Sequence, residues 1–232
     1  MRLTRDASIV ASLLVWIVFV LMLDRGGALI QQHVLGLVSW GCLVTLLVGE
    51  SPTVRYQVLI AAAFATFLEY LAAPLFGFYV YRLDNVPAFV PPGHGMVYLG
   101  AIVLARSAYV VRHAKHFVGA ALLLASGWAI WGVTIAARND LFGLLLLGVF
   151  ALFVARGGAP RVYAAAFFIT TFLELLGTSI GTWTWAATDP TGWIGIGNPP
   201  SGIAAAYCLV DWVALRAVSP TARGKLTADA TS

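Results

Sequence analysis

The chain has 232 residues, of which 60% are hydrophobic and only 10% are charged. Because a soluble domain usually carries about 25% charged residues, this composition excludes an ordinary soluble protein and indicates an integral membrane protein. The net charge of +4 is therefore interpreted through the loops that flank membrane spans, and we predict no nucleic-acid partner.

Eight apolar stretches follow one another along the chain and predict an all-α fold of about eight transmembrane helices. Several are shorter than the roughly 20 residues that a perpendicular crossing needs. After the last span, residues 219–232 are polar and are predicted to form a disordered cytoplasmic tail. The predicted spans are 8–23, 28–48, 57–77, 92–111, 117–137, 141–155, 162–181 and 200–217.

The same residues recur in the two halves of the chain. Phe67-Leu68-Glu69 returns as Phe172-Leu173-Glu174, which is an offset of 105 residues between the glutamates. Two aromatic segments and two double prolines follow at nearly the same offset, and a near-constant offset indicates a tandem duplication. We predict two four-helix repeats, residues 1–112 and 113–218. Since four spans return the chain to the side on which it started, both repeats should have the same orientation.

The first apolar run also resembles a signal peptide, because it follows a short basic start. No small-x-small cleavage site ends it, and it occupies the place in the first repeat that 117–137 occupies in the second. We therefore interpret it as a retained span.

The basic residues are distributed unevenly over the two sides of such a protein. With eight spans, eleven lie on the side of the termini and only three lie on the other side. The positive-inside rule then predicts a multi-pass protein of the cell membrane with both termini cytoplasmic and the aromatic loops extracytoplasmic. The eleven are Arg2, Arg5, Arg55, Arg106, Arg112, Lys115, Arg156, Arg161, Arg216, Arg223 and Lys225, and the three are Arg25, Arg82 and Arg138.

Glu69 and Glu174 are the first candidate catalytic residues. An ionisable residue inside a span costs about 2.5 kcal/mol or more on insertion scales and is a functional-site hypothesis by default. Small residues at helical spacing on the same faces predict that both side chains point into the bundle. If the repeat axis brings them together, one should be a protonated acid and the other a base. The alternative is that each glutamate only caps backbone groups or hydrogen-bonds across helices.

His94 breaks the symmetry of the repeats, because the second repeat has serine or glycine at the matching place. It is a candidate acid, base or substrate-orienting group, and the alternative is an interface residue. Together with Glu69 and Glu174 it offers suitable metal ligands. Their spacing matches no metal signature, and neither do Cys42 and Cys208, so we predict no metal and no cofactor.

Four aromatic residues alternate with small or apolar residues after the two glutamate spans. They are Tyr79, Tyr81, Trp183 and Trp185. Such residues are usually interfacial anchors, and the alternative is that they line an entrance for an elongated apolar ligand. Together with Asn198 they are the candidate substrate-binding residues.

We expect structural and not functional roles for one proline and for the remaining charged residues. Pro74 removes a helical hydrogen bond and predicts a kink just beyond Glu69. Asp211 is expected to make a local ion pair with Arg216 or to contact a lipid headgroup. The remaining loop charges, Arg82, Asp84 and Asp189, are expected to be solvated.

Twice in the chain, a carboxylate in a span is followed by a Gly-x-aromatic-x-aromatic segment and then by a proline-bearing loop. This arrangement resembles membrane carotenoid-biosynthesis proteins, in particular the carotenoid hydratase family that acts on bacterioruberin precursors. The resemblance covers roughly residues 69–98 and 174–207. Its carriers are Glu69, residues 76–81, Pro87, Glu174, residues 181–185 and Asn198-Pro199.

The resemblance implies an enzyme that adds water across a polyene double bond, or isomerises it, by protonating it. We therefore expect a membrane-embedded acid/base enzyme that hydrates, isomerises or cyclises an isoprenoid or other lipid. The alternative is a non-enzymatic protein, either a small transporter or an accessory subunit that assembles with a membrane-protein partner. A transporter needs a polar path to both surfaces, whereas an enzyme needs a closed apolar pocket.

Overall fold

The structure is a computed structural model that describes residues 2–217, with the side chains from residue 5 onward. It is 72% helical, in agreement with the predicted all-α class, and the predicted tail at 219–232 lies outside the described residues. The helices are α1 (Arg2–Asp24), α2 (Leu29–Leu47), α3 (Pro52–Tyr70), α4 (Val90–Ala105), α5 (Ala108–Arg112), α6 (Ala114–Thr134), α7 (Leu141–Arg156), α8 (Pro160–Ser179) and α9 (Ala204–Arg216).

Five helices in the described part of the chain are long and apolar enough to cross a membrane. They are α1, α2, α6, α8 and α3 with its C-terminal extension to Leu75. Helices α4 and α7 are apolar but have only 16 residues each, and α9 has 13. These helices fit a membrane protein.

Helices α3, α4, α8 and α9 form the centre of the molecule. Helix α4 packs against α3 and α8, and α9 packs against the same two helices. Consequently α4 faces α9 across a four-helix bundle, and α3 faces α8. Helices α1 and α2 pack on α4, while α6 and α7 pack on α8.

Two short strands, β1 (Tyr79–Tyr81) and β2 (Trp183–Trp185), lie where the sequence predicted loops. They pair antiparallel, with Tyr79 opposite Trp185 and Tyr81 opposite Trp183. A glycine at positive φ begins the approach to each strand, Gly77 at 66° and Gly181 at 77°. Only glycine adopts that conformation without steric cost, so each chain can turn sharply from its helix into its strand.

Helix α3 ends in the distortion that Pro74 predicts. After Tyr70 the backbone continues as a π-helical turn, Leu71–Leu75, with Pro74 inside it. The amide of Phe76 donates to the carbonyl of Leu71 at 2.9 Å, five residues back. Because proline has no N–H to offer, the widened turn re-pairs the neighbouring groups and carries the chain toward β1.

The fourth helix ends earlier than the predicted boundary at residue 111. Helix α4 stops at Ala105, and Ser107 caps the separate helix α5 by accepting a hydrogen bond from the amide of Val110. Arg106, between them, turns toward Asp6 and Glu50. The predicted boundary was therefore wrong, because a serine cap and a partly buried ion-pair network interrupt an otherwise apolar run.

The ion pair predicted between Asp211 and Arg216 does not form. Asp211 is buried, while the Arg216 guanidinium lies over the Trp212 ring at 4.3 Å. Arg82 is not a solvated loop charge either, since it donates to the carbonyl of Gly27 at 2.6 Å and contacts Asp24 at 3.4 Å. In both cases the fold, and not the neighbouring sequence, determines the surroundings of the group.

Candidate active site

Helix α3 places the Glu69 carboxylate in the interior of the bundle, where its side chain has three polar partners. Its Oε2 accepts hydrogen bonds from the Tyr79 hydroxyl at 2.6 Å and from the Tyr81 hydroxyl at 2.8 Å. Its Oε1 lies 2.9 Å from Nε2 of His94. These partners compensate much of the cost of burying a carboxylate.

Helix α8 places Glu174 in the corresponding position on the opposite side of the bundle. Its Oε2 accepts hydrogen bonds from the indole nitrogens of Trp183 at 2.9 Å and Trp185 at 3.2 Å. Its Oε1 lies 3.5 Å from the hydroxyl of Tyr207. In contrast to Glu69, the hydrogen-bond partners of this carboxyl among the described residues are all neutral.

The paired strands explain why four aromatic side chains converge on the two carboxyls. Successive side chains of a strand point to opposite faces, so positions 79 and 81 share one face of β1, and 183 and 185 share one face of β2. The opposed pairs Tyr79–Trp185 and Tyr81–Trp183 bring their ring centroids to 4.6 and 6.0 Å. The intervening Val80 and Thr184 are exposed.

All four rings are at least 92% buried, so the interpretation of these residues as interfacial anchors was wrong. Burial raises the pKa of the Tyr79 hydroxyl, and the charge of Glu69 raises it further. The same causes raise the pKa of Tyr81. Both phenols are therefore hydrogen-bond donors to Glu69 at physiological pH.

His94 on α4 and Tyr207 on α9 complete the site from the remaining two helices of the bundle. Their ring centroids are 5.5 Å apart, between the two glutamates. Each central helix thus contributes one polar residue at the same level. The sequence analysis did not find Tyr207. This residue lies in an apolar run, is not part of the repeated motif, and has no catalytic residue at a recognisable spacing from it.

A cavity of about 270 Å³ joins these residues. Both glutamates, His94, Tyr207 and the four strand aromatics line it, and nearly all its other lining residues are apolar. These come from α1, α4 and α7 among other helices, and they include Leu13, Trp16, Ile17, Val20, Met96, Val97, Phe142 and Leu146. The chemistry-bearing groups are thus concentrated within an apolar chamber.

No protein-family model, curated protein or solved structure matches the chain.

The bundle is closed beyond the site by a layer of alanines. Seven or eight residues from the four polar residues, on the same helix faces, lie Ala61, Ala101, Ala166 and Ala214, and none has exposed surface. At about 1.5 Å per residue they are roughly two helical turns deeper. Small apolar residues at this depth allow close helix packing and provide no polar lining.

Asn198 does not line the cavity and lies at the surface. Its side-chain carbonyl instead accepts the backbone N–H of Trp185 at 2.9 Å. Arg138 donates to the carbonyl of Trp185 at the end of β2 and to that of Ala186, which follows the strand. Both residues therefore hold β2 in place and do not face the space available to a ligand.

The metal ligands considered from the sequence, Glu69, Glu174 and His94, do lie around one cavity. However, no group of three or more His, Cys, Asp or Glu side chains in the described part of the chain is arranged to hold a metal ion. The hydrogen bonds of Glu69 go to phenols and to one imidazole, and those of Glu174 go to indoles and a phenol. The imidazole can accept or donate a proton, whereas the indole N–H groups only donate hydrogen bonds.

Proposed function

We propose that this protein is a membrane-embedded acid/base enzyme that acts on a carbon–carbon double bond of an isoprenoid or other lipid. The observation that carries the proposal is the meeting of two buried glutamates, a histidine and a tyrosine in an otherwise apolar cavity. A pair of carboxyls in different surroundings provides the division into acid and base that such chemistry needs. The surrounding apolar surface suits a hydrocarbon substrate.

The two carboxyls differ in their partners, and the proposal assigns their roles from that difference. Glu69 lies against His94, which can carry a positive charge, and accepts two phenolic hydrogen bonds. These contacts favour its ionised form and make the Glu69–His94 pair the base. Glu174 has no cationic partner among the described residues and is assigned as the proton donor.

The proposed reaction begins when Glu174 transfers its proton to one carbon of the double bond. The π electrons form the new C–H bond, and the other carbon becomes a cation. In hydration, a water oxygen bonds to that carbon and its proton passes to Glu69–His94; in isomerisation, a neighbouring C–H loses its proton to the same base. The Tyr79, Trp183 and Trp185 rings can stabilise the cation through their faces.

The substrate class rests on the chemistry of the cavity and on the sequence resemblance to carotenoid hydratases. A polyene delocalises the cation formed on protonation and therefore requires less stabilisation from the protein. Hydration, isomerisation and cyclisation all share this first step. They differ only in which nucleophile or base then reacts with the cation.

The alanine layer favours an enzyme over the alternative of a transporter. A transporter must offer its cargo a polar route to each surface, and Ala61, Ala101, Ala166 and Ala214 provide no polar side chain at their depth. An accessory subunit would not require an apolar cavity that is lined by two carboxyls.

The proposal includes the membrane arrangement expected from the sequence, with eight spans in two repeats of the same orientation. The equivalent contacts of Glu69 with β1 and Glu174 with β2 support a duplication. Both termini would be cytoplasmic, with the strands toward the extracytoplasmic side.

A cysteine at exposed Thr191 should then react with a membrane-impermeant reagent in intact cells, and a cysteine at Lys115 should not.

The catalytic proposal is tested by profiling lipids and pigments in cells that carry the wild type, Glu69→Gln or Glu174→Gln. Glutamine keeps the shape of each side chain but can neither donate nor accept the proton in question. We expect both variants to accumulate the precursor and to form at least 100-fold less product. A factor of about 100 is the lower end of the rate contribution of a single acid or base residue.

Asp84→Asn is the matched control for these variants. Asp84 is an exposed acid in the loop after β1 with a φ of 54°, a conformation that asparagine tolerates. Its profile should equal that of the wild type. Unchanged profiles in both glutamine variants, at equal protein levels, would refute the enzyme proposal.

A further inference from the structure

Eight side-chain atoms of the described residues are buried without a hydrogen-bond partner, and those of Tyr98 and Asp211 lie on the central helices outside the cavity. The Tyr98 hydroxyl and the Asp211 Oδ2 are each buried and unpaired within residues 5–217, and the residues are 1% and 2% exposed. A buried polar group that is left without a partner destabilises the folded protein. Two of them within one apolar bundle therefore indicate a ligand that pairs with both.

The positions of Tyr98 and Asp211 place them directly beneath the candidate active site. Tyr98 follows His94 by four residues on α4, and Asp211 follows Tyr207 by four residues on α9. Residues four apart share one helix face, so both lie one turn deeper than the polar residues of the cavity. The rings of His94 and Tyr207, one turn above, have centroids 5.5 Å apart, so the same faces of α4 and α9 oppose each other at the level of Tyr98 and Asp211.

Among the residues that the structure describes, the corresponding positions of α3 and α8 offer no group that pairs with them. On α3 the corresponding residue is Ala65, and on α8 it is Thr170, whose hydroxyl is turned to the carbonyl of Phe167. Arg216, the nearest cation along α9, stacks on Trp212. Beyond lies the alanine layer, which offers the pair no polar side chain on that side.

We propose that Tyr98 and Asp211 form a second buried site that binds water and supplies it to the catalytic cavity above. A buried water typically makes about three hydrogen bonds to otherwise unsatisfied polar groups. A carboxyl oxygen and a phenol that belong to facing helices meet this description. Their separation from the cavity by a single turn gives the water a short route to His94 and Tyr207.

This role rests on the proposed function and makes hydration its specific reaction. Each hydration consumes one water: its oxygen forms the C–O bond, one of its protons goes to Glu69–His94, and the carbon receives the proton of Glu174. The apolar cavity surface holds water poorly. The Tyr98–Asp211 site keeps the co-substrate next to the reacting bond without wetting the hydrocarbon pocket.

Infrared difference spectroscopy of the purified protein in detergent tests the water site independently of any activity. Tyr98→Phe removes a single oxygen atom and is the variant most compatible with folding. The wild type minus Tyr98→Phe spectrum should contain a water O–H stretching band that shifts when the sample is prepared in ¹⁸O water. A difference spectrum without an ¹⁸O-sensitive band would overturn the proposal.

A double-mutant cycle of Tyr98→Phe with Asp211→Asn gives a second measurement. If both groups bind one water, the double variant should lower the thermal unfolding midpoint by less than the sum of the single variants. Tyr56→Phe is the control, because Tyr56 lies on α3 and is 53% exposed; its effect should add to that of Asp211→Asn. Additivity in the Tyr98 cycle would contradict a shared ligand.

The cellular product profile then separates the two proposals. Tyr98→Phe should reduce the hydrated product relative to its unhydrated precursor, whereas Glu174→Gln should stop every reaction that begins with protonation. A water band in the infrared spectrum combined with an unchanged Glu174→Gln profile would leave the site standing and refute the enzyme. A missing band combined with an inactive Glu174→Gln would refute the water site and leave the enzyme proposal standing.

Discussion

At the scale of single residues, Gly177 controls how closely helix α8 approaches the Trp183 ring. A Cβ atom at Gly177 would lie 2.0 Å from Cη2 of that ring, closer than any real contact. The same indole donates its N–H to Glu174. We expect Gly177→Ala to displace the ring, destabilise the protein by about 1–3 kcal/mol, as overpacking usually does, and reduce product formation. Thermal unfolding and lipid profiling would measure both effects.

Gly127→Ala is the control for that substitution. Gly127 is also a helical glycine, on α6, but an added Cβ there meets no atom within 4 Å. Alanine is favoured over glycine in helices by up to about 1 kcal/mol, so this variant should match or exceed the stability of the wild type. If Gly177→Ala behaved in the same way, Trp183 would not be held by close packing.

The sequence contained enough information to find Glu69, Glu174 and His94 but not what surrounds them. A carboxylate in an apolar span is conspicuous in a sequence because inserting it into a membrane costs free energy, whichever partner it has. Tyr207, Tyr98 and Asp211 do not stand out in this way, since tyrosine is common in membrane helices and Asp211 has an arginine nearby in sequence. Whether these three residues belong to a site depends on which helices face each other. No local sequence pattern predicts the pairing of helices.

At the scale of elements, Asn198 provides a direct test of how the strands are held. Asn198→Ala would leave the Trp185 N–H without its acceptor and should lower stability by about 1 kcal/mol, the usual net value of a hydrogen bond. Asn198→Asp keeps an acceptor oxygen and should remain close to the wild type in thermal unfolding. Equal losses in both variants would mean that this hydrogen bond does not determine the stability.

The strands also show where prediction from the sequence reached its limit. The alternation of Tyr79, Val80 and Tyr81 was visible, as was that of Trp183, Thr184 and Trp185. Segments of three residues are nevertheless too short to predict strands, and their partners lie about a hundred residues away in the chain. A membrane-interface interpretation of the rings followed from composition alone, while their burial follows from the pairing of β1 with β2.

At the scale of the whole molecule, a network of charges opposite the strands connects three separate parts of the chain. Arg106, after α4, donates to Asp6 on α1 and to Glu50 in the turn before α3, with distances of 2.6–3.0 Å. Arg5 donates to Glu50 at 2.9 Å. The sequence predicted Arg5 and Arg106 as positive charges on the cytoplasmic side, and the structure shows that they also join the helices.

This network predicts how the stability of the protein depends on pH. The hydrogen bonds from Arg106 lower the pKa of Glu50 below its ordinary value of 4.5. The unfolded chain therefore takes up a proton at higher pH than the folded protein, and stability that is present above 4.5 is lost as the pH falls through the lowered value. Thermal unfolding from neutral pH to about pH 3 would show this loss for the wild type.

Glu50→Gln should weaken that dependence and not merely shift it. The variant loses a charge-assisted contact to Arg106, so its unfolding midpoint should be lower than that of the wild type at neutral pH. It has no proton to take up at this position, so the two midpoints should converge as the pH falls. Asp84→Asn, which removes an exposed acid, should keep the wild-type slope. If the unfolding midpoints of the wild type and Glu50→Gln fell in parallel with pH, the network would contribute equally at every pH. Groups other than Glu50 would then cause the loss of stability in acid.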